Sequence, residues 1–511
     1  MFAQSYGSTT VELNGVLIHV EVDITNGIPA FDIVGLPDTA VRESKERVRA
    51  AIKNSGFEFP GRRITINLAP ADIKKDGSGL DLPIAVGILA ASGQIQPDIV
   101  QNYLLVSELS LEGRLRGITG LLPMAINSLN RGVKEVVIAL DNVNEALLVD
   151  GLNIYAPATL NEVVLFLRGE FPLQPMSKTG IKQAQAGSHE DFAEIQGQPL
   201  AKRALEIAAA GGHNVIMSGP PGSGKTMLAR RVNSILPAMS NQEALEITKI
   251  YSIAGLLPNH GGLIATRPFR SPHHTISDAG MVGGGRIPKP GEVTLSHHGV
   301  LFLDELPEFS KATLEVLRQP LEDGQVTIAR ANATFSYPAN FMLLASMNPC
   351  QCGFLYDKAN RCICSEHEIR RYKKKISGPL LDRIDIHIQV PRLEYKDLTA
   401  TKTAETSAAI RLRIETARSL QQERLLPYGI FCNARMGHKQ IKTTCALTAC
   451  AQSLLKEAFN KMNLSARSYD RIIKVGRTIA DLDQAEQITE LHIAEAIQLR
   501  SNATDYYSIS L

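Results

Sequence analysis

The chain has 511 residues, more than one ordinary core, and at ~150 residues per domain it points to about three domains. A net charge of +2 and the absence of tryptophan exclude a global basic field and broad base-stacking platforms, so any nucleic-acid contact must come from local basic loops. No basic cluster with a following apolar run opens the sequence, and the longest apolar stretch, Pro83–Ala91, is shorter than the ~20 residues needed to cross a bilayer.

The expectation is therefore a cytoplasmic chain with no membrane partner, whose seven cysteines are free thiols or metal ligands. Residues 1–170 alternate short strand-like and helical segments. VELNGVLIHVEVDI reads as strands with a turn at Asn14–Gly15. Thr39–Asn54 is a charged amphipathic helix closed by Gly56. ITINLAP reads as a strand, Asp81–Ala91 as a buried helix and Lys134–Leu140 as a buried strand. Residues 171–191 are polar and aperiodic, and read as a linker.

Residues 192–390 form the second block. Val215–Ser218 is a short apolar strand followed by GPPGSGKT: Gly219, Pro220, Pro221, Gly222, Ser223, Gly224, Lys225 and Thr226. A helix over Met227–Leu236 completes the strand–GxxxxGK[ST]–helix context of an ATP phosphate loop. Its glycines let backbone N–H groups wrap phosphates, Lys225 reaches the β and γ oxygens, and Thr226 ligates Mg²⁺.

The strand Val300–Leu303 runs into Asp304, placed to hold magnesium, and Glu305, placed to polarise water. Met342–Met347 is a further buried strand, tipped by Asn348. Arg383 stands ahead of the strand IDIHIQV, and Arg467 opens an amphipathic helix in the last block, 391–511, which reads as a helical lid.

Two elements interrupt the core. Ile253–Leu295 reads as a long Gly/Pro/His/Arg-rich loop, with Arg286 and Lys289 in GGGRIPK. Val326–Arg330 and Thr334–Tyr337 read as a β-hairpin carrying Arg330. Cys350-x-Cys352 and Cys362-x-Cys364 offer four thiolates for a zinc ion, with His367 as a substitute ligand. Cys432, Cys445 and Cys450 show no such spacing.

The order of phosphate loop, hhhhDE strand, strand–Asn, LLDR and helical lid resembles that of AAA+ ATPases. RPFRSPHH (267–274), Gly283–Gly285, GVLFLDE (299–305) and SGPLLDRID (377–385) resemble the magnesium-chelatase-like branch, and the whole chain resembles the bacterial ComM/YifB family. That resemblance implies Asn348 as sensor 1, Arg383 as an arginine finger acting on a neighbour's ATP and Arg467 as the sensor-2 arginine. It also implies a homo-hexamer and adenine held by Ile195–Gln198. In related rings both interrupting elements project into the central pore and grip DNA or protein. The family is implicated in helicase-driven branch migration during natural transformation, with recombination proteins as partners. The alternative is a chelatase-like remodeller of a protein partner; the residues read above fit either polymer.

PADIKKDGSGLDLPIAVGILAA (70–91) and GRLRGITGLLPMA (113–125) resemble the Lon protease domain, of ribosomal S5 domain-2-like fold. The expected fold class is thus α/β, with a Lon-protease-like domain, an AAA+ core and a helical lid. In register, Lon's catalytic serine falls at Gly79 and its lysine at Leu122, so the Ser–Lys dyad is absent. Lys53, Arg62, Arg63, Lys74 and Lys75 are candidate basic contacts of this domain.

Overall fold

A computed structural model describes residues 1–177, 190–258, 262–285, 289–330, 333–357, 360–393, 405–462 and 464–501. Arg286 and most of the 171–191 linker lie outside the described residues. The chain folds as two compact units, Met1–Gln185 with Ala244–Ala265, and Ala186–Glu243 with Thr266–Leu511.

The first unit is built on a seven-stranded mixed sheet. Its strand order is Ala30–Val34, Arg63–Ala69, Asn14–Thr25, Phe2–Val11, Tyr103–Val106, Glu135–Ile138 and Asn153–Tyr155. Alternate residues Ile18, Val20, Val22 and Ile24 face the core opposite Ile64, Ile66 and Leu68, as a period of two dictates. Helix Asp81–Ala91 is buried on every side. Its first residue, Asp81, is tied to Arg47 by bonds of 2.8 and 3.1 Å.

The first hairpin corrects the sequence reading. Val11 pairs with Asn14, so the turn is Glu12–Leu13 and Asn14–Gly15 belong to the second strand. Gly15 serves close approach instead: a Cβ there would lie 2.4 Å from the Pro123 carbonyl oxygen. A second correction concerns Lys75. It is fully buried and its ammonium donates to the Pro70 carbonyl, so it offers no surface charge.

The second unit holds a five-stranded, all-parallel sheet ordered Phe269–Arg270, Val300–Leu303, Met342–Met347, Val215–Ser218, Ile386–Gln389. The long helices Ser407–Leu425, Ala449–Lys461, Ala466–Leu482 and Glu490–Ser501 bury Ile414, Ala417, Ile472 and Ile493. These join helix Pro199–Gly211 in one apolar core with the sheet. Helical lid and P-loop sheet therefore share a core, and Arg471 of helix Ala466–Leu482 pairs with Asp385 just ahead of the strand Ile386–Gln389.

The segment 253–295 is not structureless. Helix Asn241–Ala254 leads into it, and residues 244–265 pack within the first unit, where Ser252 accepts the Gly120 N–H at 3.1 Å and its hydroxyl bonds Glu145. Farther on, Arg267 donates to the Pro237 and His298 carbonyls, both at 2.7 Å, and pairs with Glu243. Arg270 forks onto Glu292 at 2.6 and 2.7 Å. These charge-assisted bonds replace a regular hydrogen-bond ladder, which is why periodicity did not reveal order here. Lys289 is exposed on a two-residue strand paired with Gly284. The second predicted hairpin is present as Gln325–Arg330 and Ala333–Pro338, with Arg330 pairing Ala333 in its backbone register.

Candidate nucleotide site

The parallel sheet places its functional tips by simple geometry. All strand C-termini point one way, so the phosphate loop after Ser218, the acidic pair after Leu303 and Asn348 after Met347 emerge on one edge. Gly222 and Gly224 take φ of +76° and +89°, and the helix Lys225–Ile235 starts at the lysine itself rather than at Met227.

Lys225 is buried, and its ammonium donates to the carbonyls of Gly219 at 2.7 Å and Pro220 at 2.9 Å and to Asn348 Oδ1 at 3.3 Å. Burial pulls its pKa below the ordinary lysine value, and the Asp304 and Glu305 carboxylates oppose that shift. The Thr226 hydroxyl donates to Asp304 Oδ2 at 2.9 Å. A hydroxyl and a carboxylate brought together at a helix N-terminus are the oxygen set that Mg²⁺ takes. Ser223 Oγ is buried with no partner in the loop, a donor fitted to a phosphate oxygen. Glu305 is exposed beside this group, at φ +53°, a left-handed conformation rare for a residue with a side chain.

One participant escaped the sequence reading. Ser346 Oγ donates to Asp304 Oδ1 and accepts the Glu305 N–H at 3.4 Å, so it orients the acidic pair. Its signal was its position two residues before Asn348, on the same strand face. Gln198 amide donates to the Pro391 carbonyl at 2.6 Å. A cleft of about 290 Å³ beside Gly219 and Pro220 is lined also by Leu200, Ile388, Pro391 and Tyr356.

Arg383 and Arg467 are not in this cluster. Arg383 precedes the strand Ile386–Gln389, whose residues pair in parallel with Val215–Ser218 starting from Val215. It therefore sits at the N-terminal edge of the sheet, roughly 13 Å from the phosphate-loop edge for four residues at ~3.3 Å each. There Arg383 donates to Pro379 O at 2.7 Å and pairs with Glu322. Arg467 reaches the same carboxylate at 3.6 Å. Both line a cleft of about 310 Å³ with Arg435, Arg471 and Lys474. Glu322, a second residue with no role assigned from the sequence, lies in the last turn of the short helix Arg318–Asp323, just before the hairpin at Gln325.

Asp385 anchors this edge. It accepts the Asn214 N–H at 3.1 Å and pairs with Arg471, while Asn214 Nδ2 donates to the Arg383 carbonyl at 3.1 Å.

The four clustered cysteines converge. Cys350 Sγ lies 3.4 Å from Cys352 and 3.7 Å from Cys362, Cys352 and Cys362 are 3.6 Å apart, and all four sulfurs including Cys364 fall within 4.8 Å of one another. His367 is not in the group.

A phosphate loop, an Asp–Glu pair and an asparagine on adjacent parallel strand tips, with a helical lid sharing the core, define the magnesium-chelatase-like AAA+ class. Family models agree: "Magnesium chelatase, subunit ChlI" matches residues 191–398, "Subunit ChlI of Mg-chelatase" residues 20–142 and "Magnesium chelatase, subunit ChlI C-terminal" residues 404–500. The chain belongs, more narrowly, to the ComM/YifB family. It is 45% identical over 501 residues to Competence protein ComM of Haemophilus influenzae, covering 97% of each chain. It is 43% identical to the uncharacterized protein YifB of Escherichia coli, covering 96% of this chain and 95% of the relative. A magnesium-chelatase 67 kDa subunit of Chlorobaculum parvum is 27% identical over 31% of this chain and 23% of its own. Among the described residues no helix is long and apolar enough to cross a membrane.

Proposed function

We propose that this chain hydrolyses ATP as part of a homo-hexameric ring and couples turnover to movement on DNA, promoting branch migration of recombination intermediates in natural transformation. The observation that carries the reading is the split of the site. Lys225, Thr226, Asp304, Glu305 and Asn348 gather on one sheet edge, and Arg383 and Arg467 on the other. A neighbouring copy in a ring supplies an arginine to phosphates that the chain's own arginines do not reach.

In this reading Lys225 takes the β and γ oxygens and Ser223 a further phosphate oxygen. Thr226 and Asp304 hold Mg²⁺, which neutralises phosphate charge when bound. Glu305 accepts a proton from the attacking water, Asn348 orients that water, and Arg383 with Arg467 stabilises charge developing in the neighbour's site. Cys350, Cys352, Cys362 and Cys364 hold zinc.

Support for DNA as the polymer comes from the full-length likeness to a competence protein and from the hairpin 325–338 that follows Glu322. Lys289, Arg330 and Arg286 are its candidate contacts. The chelatase matches support a protein client as the competing reading. ATP turnover with and without forked or single-stranded DNA distinguishes the two. Stimulation that falls steeply between about 50 and 200 mM salt is expected for phosphate contacts. Neither binding nor stimulation by either DNA would leave the protein client as the substrate.

A further inference from the structure

We infer that the four-cysteine clip is a zinc-dependent positioning element of the nucleotide site, so that metal occupancy sets the rate of ATP hydrolysis. The inference rests on the proposed ATPase reading and extends it to a group of residues outside the phosphate loop.

The ligand chemistry comes first. Four thiolates around zinc at ~2.3 Å set sulfur separations of about 3.8 Å in a tetrahedron. Of the six separations, those among Cys350, Cys352 and Cys362, at 3.4, 3.7 and 3.6 Å, are close to that edge length, and all six fall within 4.8 Å. No cysteine among the seven is in a disulfide, although sulfurs this near could oxidise, so the cluster is one of thiols. Backbone N–H groups of Phe354 and Ile363 donate to Cys352 Sγ. Such bonds orient the sulfur. Cys350 is fully buried at the base of the clip.

The coupling is equally direct. Cys350 follows Asn348 by two residues, and Asn348 Oδ1 accepts from the Lys225 ammonium at 3.3 Å. Gly353, held by its N–H on the Cys350 carbonyl at 3.0 Å, lies flat on Pro221 of the phosphate loop. A Cβ at Gly353 would fall 2.6 Å from Pro221 Cδ, and its φ of +85° disfavours any side chain. The same loop sends Leu355 and Tyr356 into the cleft beside Gly219 and Pro220. Clamping the cysteines therefore fixes three contacts with the nucleotide site at once, one of them a catalytic-cluster side chain. A displacement of about 1 Å at such a contact slows chemistry by ~100-fold.

The test uses the full chain. Metal analysis of the purified protein should give about one zinc per chain, and replacement by Co²⁺ should give the intense thiolate-to-cobalt absorption and d–d bands of a tetrahedral site. Chelation followed by Zn²⁺ addition should lower and then restore kcat, by roughly 10- to 100-fold, with a smaller change in nucleotide affinity. Gly353→Ala keeps every ligand, so it should retain zinc and still lose kcat through Pro221. Absent zinc and no cobalt spectrum would overturn the metal site. Bound zinc with kcat unchanged on removal and in Gly353→Ala would overturn the coupling. Absent ATP hydrolysis in the zinc-loaded wild-type chain, with the cobalt spectrum intact, would overturn instead the ATPase reading on which the coupling stands.

Discussion

Replacing Asp385 by asparagine tests how the arginine edge of the sheet is held. The carboxylate is buried, accepts the Asn214 N–H, pairs with Arg471 and lies 3.4 Å from His213 Nδ1. Burial by itself would raise its pKa. The Arg471 guanidinium, with His213 and Lys474 behind it, more than reverses this and holds the carboxyl well below the usual carboxylate range. Asparagine keeps the shape and removes the charge, leaving Arg471 and the half-buried Lys474 without their counter-charge.

Breaking a buried pair from one side costs ~3–5 kcal/mol, and retention of the Asn214 bond sets the expected loss at the lower end, ~3 kcal/mol. At ~2–4 °C per kcal/mol, the calorimetric transition of the second unit falls by about 6–12 °C. The folded pKa is depressed, so the stabilisation is complete above the unfolded value of ~3.9 and is lost as pH falls through the folded value. The gap between wild type and Asp385→Asn should therefore hold constant from about pH 7.5 to 5 and narrow below about pH 4. A gap under ~1 kcal/mol at pH 7, or one that widens on acidification, would show that the buried charge pair does not hold this edge.

At the phosphate loop, Lys225→Ala removes a buried ammonium that no neighbour replaces, and nucleotide affinity should drop by at least ~100-fold in fluorescent-nucleotide titrations. Retained affinity would move the phosphate site elsewhere. Glu305→Gln keeps the side-chain shape, so nucleotide should bind normally while single-turnover hydrolysis is blocked; normal hydrolysis would strip Glu305 of its role as base.

Much of the site was legible because its parts are local. Strand, glycine turn and helix are contiguous in Val215–Ile235, and the buried strands Val300–Leu303 and Met342–Met347 announce their polar tips by an abrupt change of composition. Parallel pairing then does the assembly. What periodicity did not reveal is long-range and polar. Asp385 meets His213 and Arg471, far away in the chain, and Glu322 meets Arg383 and Arg467, none of them marked by spacing. The hairpin turn was misplaced because Asn14–Gly15 has turn chemistry, while Gly15 is needed where helix Leu121–Asn130 presses on the strand. Lys75 read as surface charge because burial of a lysine with a backbone carbonyl partner leaves no pattern in the sequence.

Completion of each ATP site by a second copy of the chain is tested by mixing two inactive variants. Lys225→Ala lacks the phosphate grip and Arg383→Ala lacks the arginine from the opposite sheet edge. If Arg383 acts on its neighbour, a ring containing both has interfaces at which an intact phosphate loop meets an intact arginine. Random assortment of an equal mixture makes roughly a quarter of the interfaces complete, and a comparable share of wild-type ATP turnover should return. Turnover that stays at the level of the separate variants, in mixtures shown by light scattering to co-assemble, would show that Arg383 does not complete a neighbour's ATP site.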